Sequence, residues 1–443
     1  MPAKLLEYWA ILQRHKDSKI TTISSNQALL KAMLNMLGAA DEACKEVSYP
    51  KVGDPFSDTI CGILADTPDT LCRWICPQVA RVLPKIHTPQ VGMTLRSLSH
   101  HLAFCGQNEV DMGWYLVEEP FSTKHKEQLA VNLLIFPYPF EATADNFVPT
   151  AIRKCGRTHL PEEFGFFTYN TPTAIPWING KFREVLMKLK SKGQDIHGII
   201  LPEGSFPSKE EFSAAHSVVW EYFPNAFFLV GIAEPNKIAD GLAQNYLQYA
   251  VPIGGDVVCL YSQSKHHRWR LDESQIKRYQ LDSLDRGQIW WESIDISKRR
   301  IQFFSAKSWL TFCFLICEDL ARQEPVAPLV RAIGPHLVVA LLQDGPQMIQ
   351  RWPNRYAGVL ADDPGSAVLT VTSVGMIKNC STSQPFKIGL WCDRRNTKEL
   401  ELEKGATAVL LKLASKRTPE FSADGRENPR ATALLYEDHL SIR

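Results

Sequence analysis

The stretch from Trp309 to Leu320, W-L-T-F-C-F-L-I-C-E-D-L, constrains this chain more than any other. Its first eight residues are almost all apolar, the pattern of a strand buried on both faces. The run stops at Cys317, and Glu318 and Asp319 follow at once. Apolar residues then recur at helical spacing through Leu320, Val326, Leu329 and Val330. A thiol at such a strand-to-helix turn is well placed for a nucleophile, because the strand holds it and a helix N-terminus favours a thiolate. A cysteine there can equally be core filling, since free Cys is among the most buried residue types.

Either side of this stretch the chain reads as two regimes. Residues 1–125 read as mainly helical. Leu5, Trp9, Ile11 and Leu12 share one face, and Leu29, Leu30, Met33, Leu34 and Leu37 another, with Gly38 as a helix stop. Further helices are expected near Leu71–Leu83 and Thr94–Phe104, the latter carrying His100 and His101. This region is read as an accessory domain for docking, oligomerisation or recognition. From residue 126 to about 415 the order changes to strand, helix, strand, helix, strand, an α/β layout. The strands are Leu129–Phe136, His197–Leu201 and Phe227–Ala233, with residues 137–175 expected to be a long loop. Two hairpins follow, one around Gly254-Gly255 and one made by Ile301–Phe304 with Trp309–Ile316. Two packed sheets with helices outside are expected, and residues 416–443 read as a charged, turn-rich tail.

Composition removes several function classes. The chain carries 49 basic and 48 acidic residues, a balance that argues against bulk nucleic-acid binding. The 11 cysteines are odd in number and scattered, which fits free thiols in a reducing compartment rather than a disulfide framework. Cys72 and Cys76 lie on an expected helix with no further ligands at metal spacing, so no metal is assigned. There is no signal-peptide pattern and no apolar run long enough to span a membrane, so a cytoplasmic location is expected. The glycines match no phosphate-binding loop, and no cofactor is expected.

Three polar residues share one setting. Glu203 ends I-I-L-P-E, Lys265 ends V-V-C-L-Y-S-Q-S-K, and Cys317 ends F-C-F-L-I-C. Strand ends on one sheet edge converge on one site. A carboxylate can take the thiol proton, and an ammonium with a backbone N–H, here that of Glu318, can stabilise the oxyanion of an acyl transfer. One Glu, one Lys and one Cys are also close to charge-balanced, which limits the cost of burying them. Glu203 could instead cap the following helix, and Lys265 could be a solvated loop residue.

These motifs resemble those of the nitrilase, or carbon–nitrogen hydrolase, superfamily over about residues 127–415. I-L-P-E-G-S at 200–205 is similar to its strand-P-E motif, Y-S-Q-S-K-H-H at 261–267 to its lysine motif, and F-L-I-C-E-D-L at 314–320 to its nucleophile motif. Pro325, Leu337–Gln343 and the stretch 355–375 follow in the family order. The resemblance implies an αββα sandwich that forms homo-oligomers, with Glu203 as general base, Lys265 as oxyanion stabiliser and Cys317 as the acylated nucleophile. It also implies a second glutamate after the lysine, for which Glu273 is the first candidate and Glu292 the second. Glu318, His266 and Gln343 are assigned to the oxyanion or substrate side, and Lys277 is the rival to Lys265. The substrate expected is a small amide or nitrile, an amide first, with a protein partner possible for the N-terminal region and none of membrane character.

The chain departs from the family in three places. Glu318-Asp319 replaces the usual aromatic residue after the cysteine, a form similar to the glutaminase domain of glutamine-dependent NAD synthetases. Ser373 stands where the family has Asn, and about 125 residues precede the catalytic part. The alternatives are a non-catalytic scaffold on the same fold, and a defence or signalling effector acting on a nucleotide-like or glutamine-like amide.

Overall fold

The computed structural model describes residues 2–45, 80–89, 92–106, 110–117, 130–154, 163–235, 242–254, 257–306, 310–422, 425–428 and 431–443. Its frame is two seven-stranded sheets. The first runs, in spatial order, Val257–Ser264, Gln244–Gly254, Phe227–Glu234, Gly198–Ile200, Ala130–Ile135, Ala408–Arg417 and Thr432–Ile442. The second runs Thr397–Leu402, Phe386–Cys392, Ala367–Val371, Leu337–Leu341, Leu310–Ile316, Arg300–Ala306 and Asp111–Val117.

Side-chain alternation explains why the sheets stack. Leu133, Ile135, Ile200 and Leu229 point into the core shared with the second sheet. Their neighbours Leu134, Ile199, Leu201, Phe228 and Val230 face the other way, onto Val185, Leu186 and Leu189 of helix Arg183–Ser191 and Phe212, Ala215 and Val218 of helix Lys209–Tyr222. Between the sheets, Phe227 stacks on Phe312 at 5.2 Å and Tyr249 meets Phe314 at 5.2 Å. Truncating such a buried ring costs about 3–5 kcal/mol. On the far side of the second sheet, Leu315 packs towards Leu320, Val330 and Leu360, the last two on helices Ala327–Ile333 and Trp352–Asp362. The layers are therefore α, β, β, α, as the sequence leads one to expect.

Three expectations change. Before residue 126 the described residues combine helices with strands. Helices Ala3–Arg14 and Gln27–Ala43 are there, the second running through Gly38. However, Ala80–Pro84 and Leu102–Gly106 form a strand pair, and among the described residues between them only Leu95–Leu98 is helical. His100 and His101 lie outside that turn, where their backbone N–H groups donate to the buried Asp41 carboxylate at 2.7 Å each. Asp111–Val117 joins the second sheet, parallel to Arg300–Ala306. Its apolar residues read alike at helical and strand period over so short a run. Cys72 and Cys76 lie outside the described residues.

Residues 137–175 are not a structureless loop. Phe147–Lys154 and Glu163–Tyr169 pair as antiparallel strands and, with Arg270–Leu271 and Ile289–Glu292, make a four-stranded sheet. Nor are residues 416–443 a tail. Thr432–Ile442 pairs antiparallel with Ala408–Arg417 along its length and forms the edge of the first sheet. The acidic pair Glu437-Asp438 on this strand and the turn residues before it imitate a disordered end. Among the described residues no helix is long and apolar enough to cross a membrane.

Candidate active site

Cys317 follows strand Leu310–Ile316, whose seven residues are all buried. Its N–H donates to the Leu341 carbonyl at 2.9 Å, the last rung of the ladder with Leu337–Leu341. The chain then turns sharply: Cys317 has φ 42° and ψ −105°. A positive φ in a non-glycine residue stores about 1–3 kcal/mol, retained only where surrounding packing dictates it. A single turn of helix, Glu318–Ala321, follows.

Glu203 follows strand Gly198–Ile200 in a turn pinned on several sides. Ser205 Oγ donates to the carbonyls of Tyr138 and Pro202, both at 2.8 Å, and Thr171 Oγ1 to that of Gly204 at 3.0 Å. Gly204 takes φ +66°, open to glycine without strain. Gly231 on the adjacent strand lets the turn settle against the sheet, its own N–H donating to the Pro202 carbonyl at 3.1 Å.

Lys265, after strand Val257–Ser264, joins these elements. Its Nζ donates to Glu203 Oε1 at 2.8 Å and to Glu292 Oε2 at 2.8 Å, with no part of the side chain exposed. Asn245 Nδ2 donates to Oε1 of both glutamates, 2.7 Å each. The Gln343 backbone N–H donates to Glu203 Oε2 at 2.8 Å, and that of Trp269 to Glu292 Oε2 at 3.0 Å. Cys317 lies near enough to feel the charges of Glu203, Lys265 and Glu318.

The second carboxylate on the lysine is Glu292, not Glu273. Glu273 is the exposed first residue of helix Glu273–Tyr279, which also carries the exposed Lys277, and it takes no part in the cluster. Glu292 ends a strand, Ile289–Glu292, as Glu203, Lys265 and Cys317 do. Strand-end placement would have selected it; distance along the chain from Lys265 did not. Asn245 and Asp319 were not expected. Asp319 is fully buried, accepts the His266 N–H and binds His267 Nδ1 at 2.8 Å, tying the Cys317 turn of one sheet to the Lys265 turn of the other.

The remaining assignments separate. His266 is not on the substrate side: its ring is buried and Nε2 donates to the Arg300 carbonyl at 3.1 Å. The Glu318 carboxylate turns outward to Arg322 at 3.1 Å. Gln343 is in place through its backbone.

Two carboxylates and one ammonium leave the cluster one negative charge in excess, not balanced as one Glu, one Lys and one Cys would be. Burial pushes the Glu203 carboxyl up, and Glu292 adds to this, while Lys265 and Asn245 oppose it. Burial alone would lower Lys265, but Glu203 and Glu292 outweigh it and hold the lysine charged. Burial and Glu203 push the Cys317 thiol well above its ordinary value against the pull of Lys265. The resting sulfur is thus a thiol, and the helix behind it is too short to reverse this. Moving the Cys317 proton to Glu203 leaves the net charge unchanged, so the cluster can make a thiolate without taking up or losing charge.

No family model matches the chain, and no curated protein does. Solved structures do. The carbon–nitrogen hydrolase of Helicobacter pylori G27 matches at 9% identity and TM-score 0.39, over 64% of this chain and 88% of that one. Saccharomyces cerevisiae Nit3, a member of branch 10 of the nitrilase superfamily, matches at 11% identity and TM-score 0.35, over 67% and 92%. The glutamine-dependent NAD+ synthetase of Acinetobacter baumannii matches at 13% identity and TM-score 0.38, over 71% of this chain but only 49% of that one. In structure the chain is similar to the carbon–nitrogen hydrolases of the nitrilase superfamily.

Proposed function

We propose that this protein is a thiol-dependent carbon–nitrogen hydrolase, of amidase type, with Cys317 as nucleophile. The observation that carries this reading is the enclosed hydrogen-bonded cluster of Glu203, Lys265 and Glu292 beside a cysteine held at a strained strand end. A core that needed only stability would gain little from such a cluster, because burying several charges costs more than filling the space with apolar side chains.

In this reading Cys317 Sγ attacks the amide carbon while its proton passes to Glu203. The oxyanion is met by the Lys265 ammonium and a backbone N–H, that of Glu318. Glu203 returns the proton to the leaving nitrogen, the C–N bond breaks, and a thioester remains. Water then attacks the thioester carbon, giving up a proton through Glu203 to the departing sulfur, and the carboxylic acid leaves. Glu292 holds Lys265 charged and aimed throughout.

The test needs no knowledge of the substrate. Alkylation of each thiol by low iodoacetamide is followed against pH by peptide mapping, in the unaltered protein and in Glu203→Gln and Lys265→Ala. Cys317 is expected to react faster than the equally buried Cys313, with a pH dependence that both substitutions alter. A Cys317 as inert as Cys313, and indifferent to both, refutes the hydrolase reading and leaves the scaffold. With a responsive Cys317, a screen of small primary amides against the matching nitriles decides the substrate class.

A further inference from the structure

Asn245 touches both buried carboxylates and takes no part in the thiol chemistry. It stands at the start of strand Gln244–Gly254, where its carbonyl accepts the Lys265 backbone N–H at 2.9 Å. The side chain is buried, 4% exposed. Its amide orientation is fixed by chemistry: Oε1 of Glu203 and Oε1 of Glu292 are acceptors, so the nitrogen with its two hydrogens must face them. Oδ1 then points away and has no hydrogen-bond partner among the described residues. The position gives up a buried hydrogen bond on its oxygen while both N–H groups go to carboxylates.

Two carboxylates sharing one buried site do not both stay ionised unaided; a single proton held between them is the ordinary outcome. Lys265 offsets one of the two charges. A proton caught between Glu203 and Glu292 would occupy the base that has to receive the Cys317 proton. We infer that Asn245 prevents this: its N–H groups fill the facing Oε1 atoms of Glu203 and Glu292, so no proton bridges them and Glu203 stays open to Cys317. The inference rests on Glu203 being the base for the thiol. Asn245 is a positioning residue, since it acts through Glu203.

The other groups facing the pair do not substitute for it. Lys265 sits on Oε1 of Glu203 but Oε2 of Glu292, and the backbone N–H groups of Gln343 and Trp269 take the two Oε2 atoms. Cys317, with Glu318 beyond it, and Tyr169 are the remaining titratable neighbours, and none donates to both carboxylates.

The test is a double-mutant cycle in the full chain, with Asn245→Ala and Glu292→Gln made singly and together and each checked for folding by thermal melting. The readout is the rate of Cys317 alkylation by low iodoacetamide against pH. Asn245→Ala alone is expected to move the acid side of the profile upward by about one pH unit, a roughly tenfold slower reaction below neutral pH. With Glu292→Gln present there is no second carboxylate to share a proton, and adding Asn245→Ala is expected to move the profile by much less. Equal movement in both backgrounds, or none in either, overturns the inference and makes Asn245 an ordinary donor. If Asn245→Ala does not fold, the isosteric Asn245→Asp replaces it. The added carboxyl is expected to trap a proton and move the profile further upward, and an unmoved profile overturns the inference. A Cys317 that ignores Glu203→Gln takes the base reading down along with this one. Loss of the Asn245 effect alone leaves the base reading standing.

Discussion

Gly231→Ala tests how closely the Glu203 turn depends on the sheet beneath it. A Cβ built on Gly231 would stand 2.3 Å from Glu203 Cα, 2.5 Å from the Pro202 oxygen and 2.9 Å from the Glu203 nitrogen. Ordinary contact begins at 3.4 Å, so the strand and turn must part by about 1 Å. The opposing atoms are backbone and cannot swing aside. The Gly231 N–H bond to Pro202 and the bonds from Ser205 and Phe206 to the Gly231 carbonyl resist the separation. Overpacking of this kind costs about 1–3 kcal/mol. A displacement of about 1 Å at a reacting group slows its reaction by about 100-fold. Urea unfolding gives the first quantity, and Cys317 alkylation, or amide hydrolysis once a substrate is known, gives the second. Gly358→Ala is the control: it lies inside helix Trp352–Asp362 with no atom within 4 Å of the added carbon. It should stabilise by about 0.5–1 kcal/mol and leave Cys317 alone. A Gly231→Ala protein with unchanged midpoint and unchanged Cys317 reactivity would refute the close approach and the claim that it places Glu203.

Other consequences are equally direct. Glu292→Gln should lower Cys317 reactivity by about 10-fold or more through a loosened Lys265, whereas Glu273→Gln should change nothing; equal effects, by the same alkylation assay, would contradict the assignment. Burial pushes His336 down to about 3 and His101 to about 4, and His87 is also held well below its usual value by burial. The unfolded chain therefore binds protons below about pH 6.5 that the folded protein refuses, and stability should fall as pH drops from there towards 4, by up to about 1.4 kcal/mol per pH unit for each imidazole. A denaturation midpoint flat between pH 6.5 and 5 would show that these rings are protonated in the fold. Removing residues 431–443 strips the edge strand from the first sheet and should yield insoluble protein; a soluble, cooperatively melting product would make that strand dispensable.

The central strands and the Glu203 and Cys317 turns on them were legible because their signals are local and doubled. Uniform burial marks Leu310–Ile316, and a charged residue immediately after the apolar run marks its end. The same holds for Glu203 after Gly198–Ile200. Edge strands were harder. Asp111–Val117 is short, Thr432–Ile442 has a solvent side, and their partners, Arg300–Ala306 and Ala408–Arg417, are recognisable only in three dimensions. The choice of Glu273 over Glu292 failed for a similar reason. Spacing along the chain says little about a loop that returns through a small sheet, while strand-end position says more. Asn245 gave no local signal, because an Asn at the start of a strand is unremarkable until the two carboxylates it donates to are seen.

Enclosure of the Glu203, Lys265 and Cys317 side chains has a kinetic meaning. Glu203 is 2% exposed, Lys265 0% and Cys317 3%, so a reagent meets the sulfur only when the surrounding wall opens. The rate of any reaction at Cys317 is then an opening frequency multiplied by a capture probability. At low reagent the rate grows with concentration and reports chemistry. At high reagent it levels off, and the plateau is the opening rate itself, a property of the protein that should be the same for every reagent small enough to enter.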